Sequence, residues 1–279
     1  MAYVARLLNS EGSRGRRRFG LESAGGVSVS VSAAYDGAPS LAERRGRAPV
    51  APRLAIVVGM KSEARIADVG SDLTIIGGGS AAQVEAGLAR VHRHARSQGR
   101  PLQGVLSFGV AGALAPHLRP GDILLPHAVH AGAKAYSCHA GWTGKLSRQL
   151  PRAHVGTLLG VDQPILTPEH KRRLHGDHGA LAVDMESHGA ARFAASNDLP
   201  FAVLRAIADP QRRAIPPAAM AGFKSDGSAD IAAVLAALAR RPGQLGGLIR
   251  TAFDARAGMA ALLGSRRLLG AFFGFEDFV

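Results

Sequence analysis

The chain has 279 residues, 47% of them apolar, a single cysteine and a formal net charge of +13. That length can bury one large core or two small ones, no stretch reaches the roughly 18 apolar residues of a membrane span, and Cys138 alone excludes an intrachain disulfide and a cysteine zinc site. Basic charge favours polyanions, but the arginines are spread along the chain, so the excess reads as compositional bias and no nucleic-acid partner is expected.

Residues 1–50 are rich in Arg, Gly, Ser and Pro (GSRGRRRFG, ERRGRAPVAPR) and read as a mostly disordered extension, with VSVSVSAA as a lone strand candidate. No sustained apolar run follows the basic residues, which argues against a cleaved secretory signal. The pattern then changes. LAIVVGM and DLTIIGGG are short apolar runs of buried-strand type. AAQVEAGLARVHRHARSQG has helical spacing and ends in a capping Gly. PLQGVLSFGVAGAL reads as a strand and a Gly-rich turn, RPGDILLPHAV as a turn and a strand, and HVGTLLGVD as another strand. TPEHKRRLHGDHG opens like a helix, ALAVDMESHGAARFAASNDLP is strand, turn and helix, and FAVLRAIADP is a last strand.

Strands alternating with helices predict an α/β fold with helices on both faces of the sheet. A core domain is expected over 51–238 and an amphipathic helical tail over 239–279. The tail predicts helices packed on the core or on another subunit. The alternative, a basic apolar surface resting on a membrane, draws on GAFFGF near the terminus.

Ligands of α/β sheets bind beyond the carboxyl ends of strands, and the unusual residues fall there. Glu63 follows LAIVVGM, the GVAG turn follows VLSF, Met185 and Glu186 follow ALAV, and Asp209 follows FAVLRAIA. Asp184 and Glu186 sit in an otherwise apolar stretch, VDMESHGAA, where carboxylates are costly unless paired or used. Each residue also has an ordinary reading: a turn Asp before Pro210, a helix-start acid at Glu186, core filling at Met185.

Five segments in order, GMKSEA, SFGVAGAL, RPGDILL, VDMESHGAA and LRAIADP, resemble the nucleoside phosphorylase and nucleosidase superfamily, in the branch of the methylthioadenosine/S-adenosylhomocysteine nucleosidases. Within it the chain is most similar to the hopanoid-associated phosphorylases. The resemblance covers about residues 53–235. It implies a three-layer αβα sandwich with a central mixed sheet, no cofactor or metal, and cleavage of a purine N-glycosidic bond. By that resemblance Asp209 is the acid that protonates the leaving purine, Glu63 the base for the attacking water, and Glu186 the carboxylate on the ribose hydroxyls, with Met185 against the sugar. Ala111 and Gly112 would offer backbone to the base, and Arg205 would reach the cleft floor to pair with Glu63 or Glu186. Asp184 is expected to be structural.

Three departures stand out. Relatives commonly have Ser where this chain has Val110 and Ala208, and an aromatic near Pro164, so stacking would shift to a residue such as Phe108. Phosphorolytic relatives use Arg where Glu63 stands, which favours hydrolysis; in the other case phosphate is the co-substrate. Arg65, close by, reads as a surface residue, and His127, His130 and His139 as surface or rim residues without metal-ligand spacing.

The resemblance implies removal of adenine from adenosylhopane, a lipid-linked nucleoside, by a cytoplasmic homo-oligomer touching the inner membrane face. The alternative substrate is methylthioadenosine or S-adenosylhomocysteine. A reading of another class is a non-catalytic basic RNA- or membrane-binding protein on this scaffold, with Asp209 or Glu186 turned away from the cleft.

Overall fold

The computed structural model of the chain describes residues 53–67, 73–222, 226–228 and 230–278. The extension expected over 1–50, with its strand candidate VSVSVSAA, lies outside the described residues.

Eight strands form one mixed sheet among the described residues: β1 (Leu54–Val58), β2 (Thr74–Ile76), β3 (Gly104–Ala113), β4 (Ile123–Ala131), β5 (Lys134–Ser137), β6 (His154–Gly160), β7 (Ala182–Asp184) and β8 (Phe201–Asp209). β1 lies parallel to β2 and β3. β8 runs parallel to β3 and antiparallel to β4. The far end of β3 pairs antiparallel with β7, which pairs with β6, which pairs with β4. The ladder β3–β7–β6–β4–β8 therefore closes on itself, and β3 bridges an open parallel part and this closed part.

The helices are α1 (Lys61–Ala67), α2 (Ala81–Ser97), α3 (Ala140–Gln149), α4 (Pro168–His178), α5 (Ser187–Ser196), α6 (Pro217–Met220), α7 (Ile231–Arg240) and α8 (Leu245–Leu269). α2 and α5 cover one face of the sheet through Val84, Leu88, Ala190, Ala191 and Ala194. α1, α3 and the second half of α8 cover the other through Ala67, Trp142, Leu146, Leu262 and Leu269. This is the αβα sandwich with a mixed sheet that the sequence implies. Strands buried on both faces read as continuous apolar runs, which is why LAIVV and FAVLRAIA were legible.

Three segments differ from expectation. GVAG is strand, not turn: its backbone pairs with Arg205–Asp209 of β8 and with Val183 of β7, and ladder bonds outweigh the flexibility of its glycines. The segment 132–150, which carries no strong periodicity, forms β5 and α3, the latter anchored by the fully buried Trp142 and capped by His139, whose Nδ1 accepts from the Trp142 amide. GAFFGF is core rather than a surface for lipid. Phe273 and Phe275 are fully buried, Phe275 stacks on Trp142 with ring centroids 4.6 Å apart, and the Trp142 indole donates to the Phe273 carbonyl at 2.8 Å. Phe273 also packs on Phe108 at 5.2 Å, so Phe108 is committed to this face and cannot serve as a base-stacking residue.

Phe275 fills the space over Gly104, where a side-chain carbon would come within 2.6 Å of its ring. Phe275→Ala should lower the unfolding free energy by about 3–5 kcal/mol, measured by urea denaturation. A change under about 1 kcal/mol would mean the tail does not belong to the core.

Candidate active site

Four strand ends converge. β1 ends at Val58 and passes through Gly59 and Met60 into α1, so Glu63 lies in the first turn of a helix that starts just beyond the strand end. Glu63 is buried, and its carboxylate turns back to the chain that precedes it. Oε2 accepts from the amides of Gly59 and Met60, both at 2.8 Å, and Oε1 from the amide of Val110 at 2.8 Å. Burial pushes its pKa up, against the pull of Arg205 and of these three amides. The close approach depends on Gly109: a Cβ there would lie 2.5 Å from Arg205 Nη1 and 2.7 Å from Glu63 Oε1.

Arg205 enters from β8 and is fully buried. Its Nη2 forms a short ion pair with Asp184 Oδ2 and donates to Ser107 Oγ at 2.7 Å, and Nη1 lies 3.4 Å from the Val110 carbonyl. Glu186 Oε2 is 3.8 Å from Nη2. The main partner of Arg205 is thus Asp184, with Glu186 at the edge of contact and Glu63 a through-space neighbour. Asp184 has the structural role expected of it: besides Arg205 it accepts from the Ser187 hydroxyl at 2.5 Å and the Ser187 amide at 3.2 Å, which fixes the start of α5.

Glu186 stands just before α5 with its carboxylate on the chain between β2 and α2, where Oε1 accepts from the Gly79 amide at 3.0 Å. A Cβ on Gly59 would approach Glu186 Oε1 to 2.8 Å, and one on Gly79 would meet Met185 Cε at 3.2 Å. Glu186 and Met185 therefore rest on two glycine-bearing turns. Burial, with Asp184 and Glu63 as like-charged neighbours, raises the Glu186 pKa to about 7 against the pull of Arg205.

Asp209 ends β8 beside Gly112 of β3. The β3–β8 register slips between Ala111 and Gly112, so that Gly112 pairs with Asp209 and Ala208 bulges. A bulge re-aims the residue beside it, and a Cβ on Gly112 would come within 3.3 Å of Asp209 Oδ2. Burial raises the Asp209 pKa, opposed by Lys171, whose Nζ is 2.6 Å from Oδ2. Ala111 lies in β3 between Val110, whose amide donates to Glu63, and Gly112, which pairs with Asp209. Glu63, Arg205, Val110, Glu186 and Met185 thus form one cluster, and Asp209 stands with Gly112 at the adjoining end of β3 and β8. Arg65 is exposed, as are His127 and His139. Pro164 lies half-buried in the loop after β6, near Asp162, which accepts from His188 Nε2 at 3.0 Å. Sequence reasoning missed Lys171, Ser107, Ser187 and His188. A lysine among the charges of PEHKRRLHGDH and a serine within a strand carry no local signal of burial.

With this geometry in view, the comparisons with known proteins agree. The family model described as Phosphorylase superfamily matches residues 56–241. Over 59 residues the chain is 41% identical to the 5′-methylthioadenosine/S-adenosylhomocysteine nucleosidase of Mycobacterium bovis; the match covers 21% of this chain and spans only 23% of the length of that relative. Among solved structures, the Helicobacter pylori nucleosidase of the same name, complexed with a pyrrolidinol bearing an aminopyrrolopyrimidine, has a TM-score of 0.56 at 15% identity, over 81% of this chain and 98% of its own. The futalosine hydrolase of Helicobacter pylori has a TM-score of 0.55 at 14% identity, covering 81% and 97%. At such identities these structures speak for the fold.

The Glu186 pKa gives a test of the cluster. Raised from 4.5 to about 7, it means that the folded state keeps a proton that the unfolded chain has lost. Stability from this group is then full below pH 4.5 and is lost as pH rises through about 7. Glu186→Gln removes the titration. Between acid and mildly alkaline pH the wild type should lose on the order of 1–3 kcal/mol relative to the variant. Urea denaturation across that range measures it, and parallel pH profiles for the two proteins would refute it.

Proposed function

The chain belongs to the phosphorylase superfamily, and from that premise we propose that it is a purine nucleosidase of the methylthioadenosine/S-adenosylhomocysteine type, releasing adenine from an adenine nucleoside. The observation that carries the reading is that Glu63 and Asp209 both meet β3 within Gly109–Gly112, while Glu186 lies 3.8 Å from Arg205, whose other nitrogen reaches the Val110 carbonyl of the same stretch. Breaking the bond between ribose and purine leaves negative charge on the base and oxocarbenium-like charge on the sugar. Asp209, a carboxyl whose burial favours the protonated form, gives its proton to the leaving purine. Glu186, beside Met185, accepts the ribose hydroxyls and opposes the positive charge of the sugar. Glu63 takes the proton of the attacking water. None of these steps calls for a metal or cofactor.

The same geometry favours water over phosphate as nucleophile. The amides of Gly59, Met60 and Val110, which would otherwise cradle an anion, already donate to Glu63. The only guanidinium among the described residues of the cluster is neutralised by Asp184, with Glu63 and Glu186 beside it. A phosphate dianion would enter a site with surplus negative charge. Val110 also lacks the hydroxyl that would help hold it.

A second reading concerns the group on the sugar 5′ position, and α7 favours it. IAAVLAALAR is apolar, yet none of its residues is buried. Ile231, Leu235, Leu245, Ile249 and Phe253 are exposed along α7 and the start of α8, among exposed Arg240, Arg241, Arg250 and Arg256. The chain reaches α7 past Gly227, which rests on Gly59 and Met60 at the end of β1. An apolar, cationic surface on the helices that follow Gly227 suits a nucleoside with a large lipid-like 5′ substituent, such as adenosylhopane, taken from an anionic membrane face. No described helix is long and apolar enough to cross a membrane.

Purified protein should release adenine from methylthioadenosine in phosphate-free buffer, with no gain when phosphate is added. Asp209→Asn should lower kcat by about 10²–10⁴-fold with the fold intact. Absence of release from both methylthioadenosine and adenosylhopane by folded protein would overturn the reading, and strict phosphate dependence would reverse the preference for water. A higher kcat/KM for adenosylhopane than for methylthioadenosine would select the lipid-linked substrate.

A further inference from the structure

α4 is a polar helix, PEHKRRLHGDH, and the one residue it buries is a lysine. Lys171 is fully buried. Its Nζ lies 2.6 Å from Asp209 Oδ2, 3.2 Å from the Pro210 carbonyl and 2.9 Å from the Arg213 carbonyl. An ammonium has three hydrogens and no lone pair, and all three have an acceptor here. Burying a lysine is costly unless it is paired, and a helix seeking only an anchor would bury Leu174 instead.

The turn that supplies two of those acceptors is itself held. Arg213 forms a short ion pair with Asp254, a buried residue of α8, and Gln211 Nε2 donates to the Leu114 carbonyl. The Ile215 amide donates to the Leu166 carbonyl at 2.9 Å, tying the turn to the segment that leads into α4. Lys171 therefore sits in a rigid seat made by α4, the 210–215 turn and α8.

We propose that Lys171 is the positioning residue of the purine acid: it fixes which oxygen of Asp209 carries the proton and sets the pH range in which that proton is present. The inference rests on the proposed role of Asp209. Because an ammonium only donates and the carbonyl-type oxygen of a carboxyl is its better acceptor, Oδ2 takes that role and the proton of a neutral Asp209 sits on Oδ1. Oδ1 has no partner among the described residues, and Asp209 keeps part of its surface exposed. In the reaction the C1′–N9 bond breaks with its electron pair passing to the purine. The Oδ1 proton bonds to purine N7, and Asp209 becomes a carboxylate whose new charge already faces Lys171. Glu63 takes a proton from the attacking water as the water oxygen bonds to C1′; it then releases that proton to solvent, and solvent returns one to Asp209. Lys171 thus stabilises the state that proton donation creates. The charged groups around the pair are Lys171 and Arg213 on the positive side and Asp254 on the negative.

The test uses Lys171→Met and Lys171→Arg in the full chain, with adenine release from methylthioadenosine followed from pH 5 to 9 and the carboxyl titration of Asp209 followed by carbon NMR. Without its cation, a buried carboxyl holds its proton to higher pH. In Lys171→Met the Asp209 titration and the alkaline limb of kcat should both move up by about one unit or more. kcat near neutrality should fall at least about 10-fold, with KM little changed. Lys171→Arg should restore the titration and part of kcat. An unmoved Asp209 titration in Lys171→Met, or a loss confined to KM, would overturn the inference. Should Lys171→Met not fold, Lys171→Arg and Lys171→Gln carry the same titration comparison. If the wild type releases no adenine, the proposed function fails, while the Asp209 titration still decides whether Lys171 governs this carboxyl.

Discussion

One buried guanidinium holds the candidate site together. Arg205 has no exposed surface, and it ties β8 to Asp184 at the end of β7 and to Ser107 in β3. A buried charge is tolerable only where opposite charge and hydrogen bonds surround it. Removing either partner of such a pair commonly costs about 3–5 kcal/mol, because the other is left uncompensated. The constraint runs in both directions here. Without Arg205, three acids would crowd the same small volume, and without the acids a fully buried guanidinium would have only Ser107, Ser187 and the Val110 carbonyl as partners. Burial, with Asp184 and Glu63 close by, raises the Glu186 pKa against the pull of Arg205.

The opposite wall is built the same way from more distant chain. Asp209 pairs with Lys171 from α4, and the turn beneath them is pinned by Arg213 to Asp254 of α8. That helix starts after residue 241, where the family match ends, yet it packs on β8 with Gly258 against Ile207 and Ala208, beside the bulge that aims Asp209. The segment that sequence patterns present as a tail thus supports the acid. Its aromatic end is core, and the apolar surface left open lies earlier, on α7 and the first turns of α8.

The proposed chemistry follows from how the amides are used. A glycine-rich strand end normally offers its N–H groups to an anion; here Glu63 occupies them. What reaches that position must bring protons rather than negative charge, which suits water.

The sequence by itself determined much of this. Apolar runs set β1, β3, β4, β6 and β8, because strands covered on both faces have no polar phase to hide them. The order of five short motifs carried the family and the positions of Glu63, Glu186 and Asp209, since each acid follows a strand end. It also set Asp184 apart as structural. What the tertiary structure alone decided is which charges meet. Arg205 lies nearest Asp184 rather than Glu63 or Glu186, Phe108 faces Phe273 rather than a base, and GVAG stays in the ladder because two strands flank it. Lys171 stands 38 residues from Asp209 in a helix of solvent-type composition. Local patterns register hydrophobic period and turn chemistry, whereas the pairing of buried charges depends on how distant segments fold against each other, and that information is spread over the whole chain.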